Sequence, residues 1–524
     1  MVQPEGPLSA PGGSGPSHVR PWWATAVFYQ VYPRSFACAE NPDGVGDLRG
    51  VINRLDHIVG LGVDAIWLSP LFSSPQVDHG YDVSDYFTID PTFGTMADFD
   101  ELLDAVHANG LRLLLDLVPN HTSEQHDWFR TAVAAGRGSR QRERYLFRDG
   151  RGDLPPTDVV GSFSGAPVWT RVREPDGSPG QWYFHLFSAE QPDLNWSDPS
   201  VLEGFERVWR HWLDKGVDGF RVDVADHLTK DVDRTDVREG NSLLDHEPGN
   251  RTHQVWQAFR AVLDGYRHEP TAIGEIWSDA ALYSDAREFP LTFGFPLLQA
   301  GWDSVAVRGA IDEVLGRGVS PVWVIDNHDT ARSATRLGSV ARSRALTMVM
   351  LALPGAACIY QGQELGLPNV DDLPEEVLAD PIWEGSGRAD RGRDGCRVPI
   401  PWSGTDPPFG FSLVPPWLPQ PPGFREYTVQ GQTRSPSSTL SLTRDWVHLR
   451  RQLPELHAGP MVWLDDRPDR LHFSRQVGDH RLEVLANLGD RPIPLATGEV
   501  LAHSDPVVVD GVLPPDTAVW LRPE

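Results

Sequence analysis

Eight short runs rich in β-branched, aromatic and leucine residues recur along the chain, and this recurrence limits the possible folds most strongly. The runs are AVFYQVYP (26–33), DAIWLSP (64–70), LRLLLDLVP (111–119), VDGFRVDV (217–224), TAIGEIW (271–277), LTFGFPL (291–297), PVWVIDN (321–327) and AACIYQG (356–362). Helical stretches separate most of them, over 97–110, 202–216, 253–266, 304–318, 343–355 and 443–453. Alternating strands and helices favour a parallel sheet with crossover helices. Eight such units predict an α/β protein with a (β/α)8 TIM barrel; a doubly wound open sheet is the alternative.

Two regions depart from this alternation. Roughly 80 residues rich in Gly, Pro, Arg and Trp follow the third strand, whereas a βα loop usually has about 2–6 residues. Because βα loops project from the catalytic face of a barrel, we expect an inserted subdomain over 121–196. Short alternating segments predict a C-terminal antiparallel β-sandwich domain over 457–524. The barrel then takes 21–120 and 197–456, and the Pro/Gly/Ser-rich tail 1–20 is expected to be disordered.

Charge and cysteine content exclude several classes of binding partner and of cysteine site. The net charge of −27 argues against nucleic acid, because phosphate binding needs clustered positive charge. Cys38, Cys358 and Cys396 are too widely spaced for a disulfide framework or a metal-binding pair. The sequence lacks the apolar segment of a signal peptide and any apolar run long enough to cross a bilayer. We therefore expect a cytoplasmic protein without membrane contact, a monomer or homodimer.

Polar residues gather where the predicted strands end. They are Asp116, Asn120 and His121 after strand three, Arg221, Asp223 and Asp226 after strand four, Glu275 after strand five, and Asp326, His328 and Asp329 after strand seven. The carboxyl ends of barrel strands meet at one rim, where active sites of this fold lie. Helix caps or ion pairs explain one or two such acids, but not the whole set. The pattern predicts a catalytic site at this rim.

The acids Asp223, Glu275 and Asp329 suit cleavage of a glycosidic bond, which needs one ionised and one protonated carboxyl group. Arg221 lies on the same strand face as Asp223 and is expected to keep that carboxylate ionised. Crowding by like charges is expected to keep Glu275 protonated. Adjacent strands lie about 4.8 Å apart, so the carboxyl groups should approach the roughly 5–5.5 Å of a retaining enzyme. We predict a covalent glycosyl-enzyme on Asp223.

Four segments at these positions resemble the signature regions of the α-amylase family of glycoside hydrolases. They are DLVPNH (116–121), GFRVDVADH (219–227), GEIW (274–277) and VIDNHD (324–329). The resemblance covers nearly the whole chain and points in particular to the exo-acting α-glucosidase and oligo-1,6-glucosidase branch. It implies that Asp223 is the nucleophile, Glu275 the acid/base and Asp329 a third carboxylate that binds sugar hydroxyls. It also implies that one sugar subsite is lined by His121, Arg221 and His328.

Two further segments resemble a closed sugar pocket of that branch. By the resemblance of DHGYDVSDY (78–86), Tyr81 lies beneath the terminal sugar and Asp78 beside its 4-hydroxyl. RDGCRVPIPW (393–402) resembles a loop whose second arginine, Arg397, pairs with Asp78 and closes the pocket. Such closure would admit a single glucose unit, although a surface ion pair is the alternative. The implied function is that of a retaining exo-α-glucosidase acting on short α-glucosides of the maltose or isomaltose type.

The sequence does not determine which glycosidic linkage the enzyme prefers. QPDLNW (191–196) is similar to the form in oligosaccharide-cleaving α-glucosidases, and Val224 resembles the oligo-1,6-glucosidase form. One side chain in a pocket is worth only roughly 1–3 kcal/mol, so α-1,4 and α-1,6 linkages are not separated. Among the 19 tryptophans, those considered for a sugar-facing role are Trp169, Trp182 and Trp196.

The segment NPDGVGDLRG (41–50) resembles the family's calcium loop. The residues that would bind the cation are Asn41, Asp43, Val45, through its backbone carbonyl, and Asp47. Ala39 stands at the family's first acidic position, which removes one ligand. A structural Ca²⁺ and an Asx-rich turn without metal both stay open, and the chemistry itself requires no cofactor.

Three other functions are compatible with parts of this pattern. A transglucosylating enzyme and a trehalose- or sucrose-active enzyme share the first half-reaction, because water and sugar hydroxyls compete for one intermediate. A non-catalytic, transporter-associated relative shares the barrel, but the intact Asp223, Glu275 and Asp329 set argues against it. The expected partner is a small oligosaccharide or disaccharide substrate.

Overall fold

The computed structural model describes residues 20–161, 165–284, 287–495, 497–506 and 511–524. Apart from Arg20, the tail expected to be disordered lies outside the described residues. Among the helices described, none is both long and apolar enough to cross a membrane.

Eight parallel strands close into a barrel, which confirms the predicted fold over the open-sheet alternative. The strands are β1 (Val27–Val31), β2 (Ala65–Leu68), β3 (Arg112–Leu117), β4 (Gly219–Val222), β5 (Thr271–Gly274), β6 (Leu291–Gly294), β7 (Pro321–Trp323) and β8 (Ala356–Tyr360). Each strand pairs with the next along the chain, and β8 pairs with β1. Both faces of the strands are covered, since Phe28 belongs to the cluster inside the barrel and the adjacent Tyr29 to the cluster beneath the helices. This double burial explains the continuous apolar runs in the sequence.

The register of the central strands aligns their carboxyl ends. Val222 of β4 is level with Leu117 of β3 and with Gly274 of β5. The residues that immediately follow β4 and β5, Asp223 and Glu275, therefore leave the barrel side by side. This alignment places the predicted acids at one rim.

The longer helices of the barrel begin at side-chain caps. The longer ones are Met96–Ala108, Pro199–Lys215, Arg251–Leu263, Ser304–Gly316, Val340–Ala352 and Thr439–Gln452. Their N-caps are Thr95, Asp198, Asn250, Asp303, Ser339 and Ser438, and each side chain accepts a backbone N–H of the first turn. Shorter helices are Pro33–Phe36, Leu48–Asn53, Leu55–Leu61, Asp127–Ala135, Phe295–Gln299, Ser333–Arg336, Pro381–Gly385, Asp394–Arg397, Val429–Thr433 and Pro454–Ala458. Between β5 and β6 the described chain has the short 3-10 turn Ala280–Leu282.

The long segment after β3 forms a small layer over the catalytic rim. Its antiparallel strands are Phe147–Arg148, Trp169–Arg173 and Pro179–Phe184, with the last at the centre. Val168 and Leu186 of this segment pack with Leu243, which follows β4. The segment is thereby anchored above the barrel.

A five-stranded antiparallel sheet follows the barrel. Its strands, in spatial order, are Met461–Trp463, Arg470–Val477, His480–Asn487, Thr517–Pro523 and Gly498–His503. Alternate residues face opposite sides, because Val484 belongs to the main core whereas Leu485 joins a separate cluster with Leu513. The strand that contains Leu513 pairs with Ile493–Pro494 as a second, two-stranded layer.

Candidate active site

A cavity of about 360 Å³ opens at the carboxyl ends of the barrel strands. The residues predicted from the sequence that line it are Asp78, Tyr81, His121, Asp223, Glu275 and Asp329. The other three predicted residues lie behind the lining and contact it: Arg221 bonds to Asp223, His328 to Tyr81 and Arg397 to Asp329. The barrel therefore gathers all nine into one site.

Arg221 is shared by three carboxyl groups. Its Nη1 lies 2.8 Å from Oδ1 of Asp116 and 2.7 Å from Oδ1 of Asp223. Its Nη2 lies 2.6 Å from Oε2 of Glu275, which also accepts the backbone N–H of Val224 at 2.9 Å. The guanidinium is buried, so these charge-assisted contacts are strong and position both central carboxyl groups.

The protonation expected from the sequence needs one correction. Burial raises the pKa of Asp223 well above its ordinary value, against the opposing effect of Arg221. Burial also raises the pKa of Asp116 to about 7. The effect of burial on the pKa of Asp223 thus exceeds that of Arg221, which is shared with Asp116 and Glu275. Glu275 has that same cation, and not only like charges, as a close partner. Burial thus favours the protonated form of Asp116 and Asp223, the two carboxyl groups whose pKa it raises.

Two buried histidines support the floor of the pocket. The ring of His328 stacks on Tyr81 with centroids 5.5 Å apart, and its Nε2 lies 2.5 Å from the Tyr81 hydroxyl. Tyr81 in turn donates to Asp116 at 3.1 Å. Burial lowers the pKa of His328 to about 3 and that of His121 to about 4. Both imidazoles are therefore neutral hydrogen-bonding groups at neutral pH.

The ion pair that closes the pocket involves a different arginine from the one predicted. Arg393 Nη2 contacts Asp78 Oδ1 at 2.7 Å, whereas Arg397 contacts Asp329 at 3.1 Å and the carbonyl of His328 at 2.8 Å. Arg393 is the N-cap of the short helix Asp394–Arg397 and Arg397 is its last residue, so about one helical turn separates the two arginines. The first arginine of the RDGCR segment reaches the pocket end, and the second lies fully buried beneath Asp329.

Asp329 lies between these two cations. Arg393 Nη1 and Arg397 Nη2 both contact its Oδ1 at 3.1 Å. Burial alone would raise the pKa of Asp329, but His328 and the two guanidinium groups hold it well below its ordinary range. Asp329 is therefore an ionised acceptor for hydroxyl groups.

The tryptophan that lines the pocket was not among those considered from the sequence. Trp169 and Trp196 are buried, with their indole N–H groups bonded to Thr157 and to a backbone carbonyl. Trp277, two residues after Glu275, is 45% exposed at the pocket mouth. Its ring stacks on Phe295 at 4.3 Å, which holds it as a flat apolar platform. The sequence does indicate this position, because Trp277 is only two residues from the predicted acid/base Glu275.

Three further residues of the site went unrecognised in the sequence. Gln191 lines the pocket and donates to Asp78 at 3.3 Å, and Phe187 lines it opposite the barrel. Asp380, in the loop after β8, binds Arg393. These residues lie in long connections, where periodicity gives no signal.

The proposed calcium loop uses its oxygens within the protein. Asp47 Oδ2 accepts the backbone N–H groups of Glu40 and Asn41 at 3.0 and 3.2 Å, and Oδ1 accepts that of Gly50 at 2.6 Å. The side-chain oxygen of Asn41 accepts the N–H of Asp43 at 2.9 Å. Across the described residues, no cluster of three or more His, Cys, Asp or Glu side chains is arranged to hold a metal ion. Asp47 and Asn41 thus already accept hydrogen bonds from the loop backbone, and a structural Ca²⁺ stays a prediction.

Residues 30–459 match the family model for the catalytic domain of alpha amylase, and residues 463–520 match a domain of unknown function. The chain is 33% identical to an oligo-1,6-glucosidase of Parageobacillus thermoglucosidasius, over 90% of this chain and 91% of that protein. It is 34% identical to a probable alpha-glucosidase of Rhizobium meliloti, over 90% of each chain. A crystal structure of an alpha-glucosyl transfer enzyme superposes with a TM-score of 0.87 and 33% identity, covering 96% of this chain and all of that one.

Proposed function

The chain belongs to the α-amylase family of glycoside hydrolases, and we propose that it is a retaining exo-α-glucosidase acting on short α-glucosides. The observation that carries this proposal is a pocket in which the two central carboxyl groups lie next to a closed end. Asp223 and Glu275 bind one guanidinium, and the pair Asp78–Arg393 closes the pocket beside them. A site of this shape accepts the last sugar of a chain and excludes its interior.

The first step transfers a glucosyl unit to the protein. Asp223 attacks the anomeric carbon, and Glu275 donates its proton to the departing glycosidic oxygen. Positive charge that develops on the sugar favours the ionised form of Asp223, and the proton of the carboxyl cluster is then needed on Glu275. Arg221 contacts both groups and keeps them oriented.

In the second step Glu275 takes a proton from water, which attacks the same carbon and releases glucose with its original anomeric configuration. Because both carboxylates contact the terminal nitrogens of one guanidinium, their spacing favours the short separation of about 5–5.5 Å found in retaining enzymes. Asp329 is positioned to accept hydrogen bonds from the sugar hydroxyls.

Transfer to a sugar hydroxyl is the second candidate, and two observations favour it. A relative of known structure is named an alpha-glucosyl transfer enzyme, and Trp277 offers a stacking surface at the pocket mouth. An acceptor sugar bound there would compete with water for the glucosyl-enzyme.

Product analysis on maltose, isomaltose, sucrose and trehalose tests both candidates. We expect glucose as the first product. Sucrose reports its anomer, because the leaving group of sucrose is fructose and not glucose, and NMR within the first minutes should show α-glucose. Initial β-glucose from sucrose would refute retention. Oligosaccharides longer than the substrate, formed in preference to glucose, would favour transfer.

A further inference from the structure

Arg393 is held by Asp380 through both its backbone and its side chain. Asp380 Oδ2 accepts the backbone N–H of Arg393 at 2.6 Å and its Nε at 2.7 Å. Asp380 Oδ1 accepts Nη2 of the same guanidinium at 3.1 Å. The same guanidinium also contacts Asp78 through Nη2 and Asp329 through Nη1. Three carboxylates thus fix its orientation.

Asp380 itself is firmly placed. It is 2% exposed, and its Oδ1 accepts the N–H of Ile382 at 3.0 Å as the N-cap of the helix Pro381–Gly385. Gly392, which precedes Arg393, has a φ of +66°, and a Cβ there would come within 2.8 Å of the Asp380 carboxyl group. Only glycine allows this close approach. Burial opposes ionisation of Asp380, but Arg393 and Arg397 hold its pKa well below the ordinary range.

A second cavity lies on the other side of this contact. Its volume is about 550 Å³, larger than the 360 Å³ of the pocket that contains Asp223. The two cavities share Phe187 and Gln191, and the boundary between them passes through neighbouring residues, with Asp78 and Ile382 on one side. Val77 and Asp380 lie on the other side. The space behind the boundary is therefore large enough for at least one more sugar unit.

We propose that Asp380 is a positioning residue that fixes Arg393 as the partition between the two cavities and so limits the donor sugar to one glucosyl unit. The proposal rests on the exo-α-glucosidase function proposed above. Asp380 does not touch the sugar; it acts through Arg393 and Asp78. If Asp380 no longer held Arg393 in place, a second glucosyl unit could enter the cavity behind the partition.

The test replaces Asp380 with asparagine. The amide keeps one acceptor oxygen, so either the cap to Ile382 or the contact to Arg393 becomes a clash between two donors. With 4-nitrophenyl α-glucoside we expect KM to rise about 10- to 100-fold, as for loss of a charge-assisted hydrogen bond, with kcat changed much less. With 4-nitrophenyl α-maltoside, the wild type should release glucose first and the Asp380→Asn variant should release intact maltose together with nitrophenol.

Asp198→Asn is the matched control. Asp198 is also a buried aspartate N-cap followed by proline, and it accepts the N–H of Ser200 at 2.9 Å at the start of a different barrel helix. Thermal unfolding should show the larger loss for Asp380→Asn, because Asp380 also pairs with an arginine whereas Asp198 supplies the cap contact to Ser200. KM and the maltoside product should change only for Asp380→Asn.

A folded Asp380→Asn variant that keeps the wild-type KM and releases no maltose would overturn the proposal. If that variant does not fold, Asp380→Glu, which keeps the charge but moves the carboxylate by one methylene, is judged by the same two criteria. A wild-type protein that does not cleave the glucoside would instead count against the proposed function. Wild-type cleavage with unchanged variants counts against Asp380 alone.

Discussion

Replacing Arg221 with methionine tests whether this guanidinium holds the catalytic carboxyl groups in place. Arg221→Met leaves Asp116, Asp223 and Glu275 buried without the cation that each contacts at 2.6–2.8 Å. Removing one partner of a buried ion pair costs about 3–5 kcal/mol of unfolding free energy. The three contacts share one cation, so their separate contributions do not add. We expect a loss within that range at neutral pH.

The unfolding free energy lost in Arg221→Met should increase as the pH rises. The pKa of Asp116 is raised from 3.8 to about 7 in the folded protein, so its favourable contribution is full below pH 4 and is lost as the pH rises through 7. Removing Arg221 raises the pKa of Asp116 and Asp223 further, because the cation lowers both. The deficit of Arg221→Met should therefore be smallest near pH 5 and largest above pH 7. The acidic limb of kcat/KM should move to higher pH, since Asp223 must be ionised to attack.

Chemical unfolding at pH 5 to 8.5, together with kcat/KM for 4-nitrophenyl α-glucoside over the same range, measures both effects. Arg142→Met is the matched control, because Arg142 is a buried arginine that contacts Glu174 in the inserted segment with two bonds of 2.8 Å. Its loss of stability should be nearly constant above pH 5, with the acidic limb unchanged. The same pH-independent deficit in Arg221→Met, with an unmoved limb, would refute the reasoning.

Three further outcomes are expected. Glu275→Gln should reduce turnover of maltose by about 10²–10⁴, the usual contribution of a general acid, and turnover of activated aryl glucosides far less; equal losses would contradict the role of acid. Trp277→Ala should raise KM for disaccharides about threefold to tenfold through loss of the stacking surface, and initial-rate kinetics with an unchanged KM would show that the ring does not contact the second sugar. Added calcium or a chelator should leave the melting temperature unchanged, because the Asp47 oxygens already accept backbone N–H groups; stabilisation by calcium in calorimetry would show that the loop rearranges around the ion.

The general position of the site could be predicted from the sequence. Asp223 and Glu275 directly follow runs that could only be buried strands, and parallel barrel strands bring their carboxyl ends to one rim. The position of Asp329 at this rim follows in the same way, because Asp329 comes after the seventh predicted strand. These residues need only the order and direction of the strands, which local hydrophobic pattern encodes.

Details of the long connections could not be predicted in this way. Arg393 and Arg397 are four residues apart in one segment, and only the folded structure shows that Arg393 is the one that contacts Asp78. Trp277 forms a platform because Phe295, from a different barrel strand end, packs beneath it. Neither contact leaves a periodic signal in the sequence.

The sequence by itself determined the barrel, the rim and the set of acids, because these follow from short-range patterns of burial. The tertiary structure alone decided how charge is shared among those acids and what closes the pocket. Asp223 and Glu275 bind the same Arg221, and burial outweighs that one cation in setting the pKa of Asp223. Desolvation and ion pairing depend on distances of a few ångströms between segments far apart in the chain, and composition and spacing do not contain those distances.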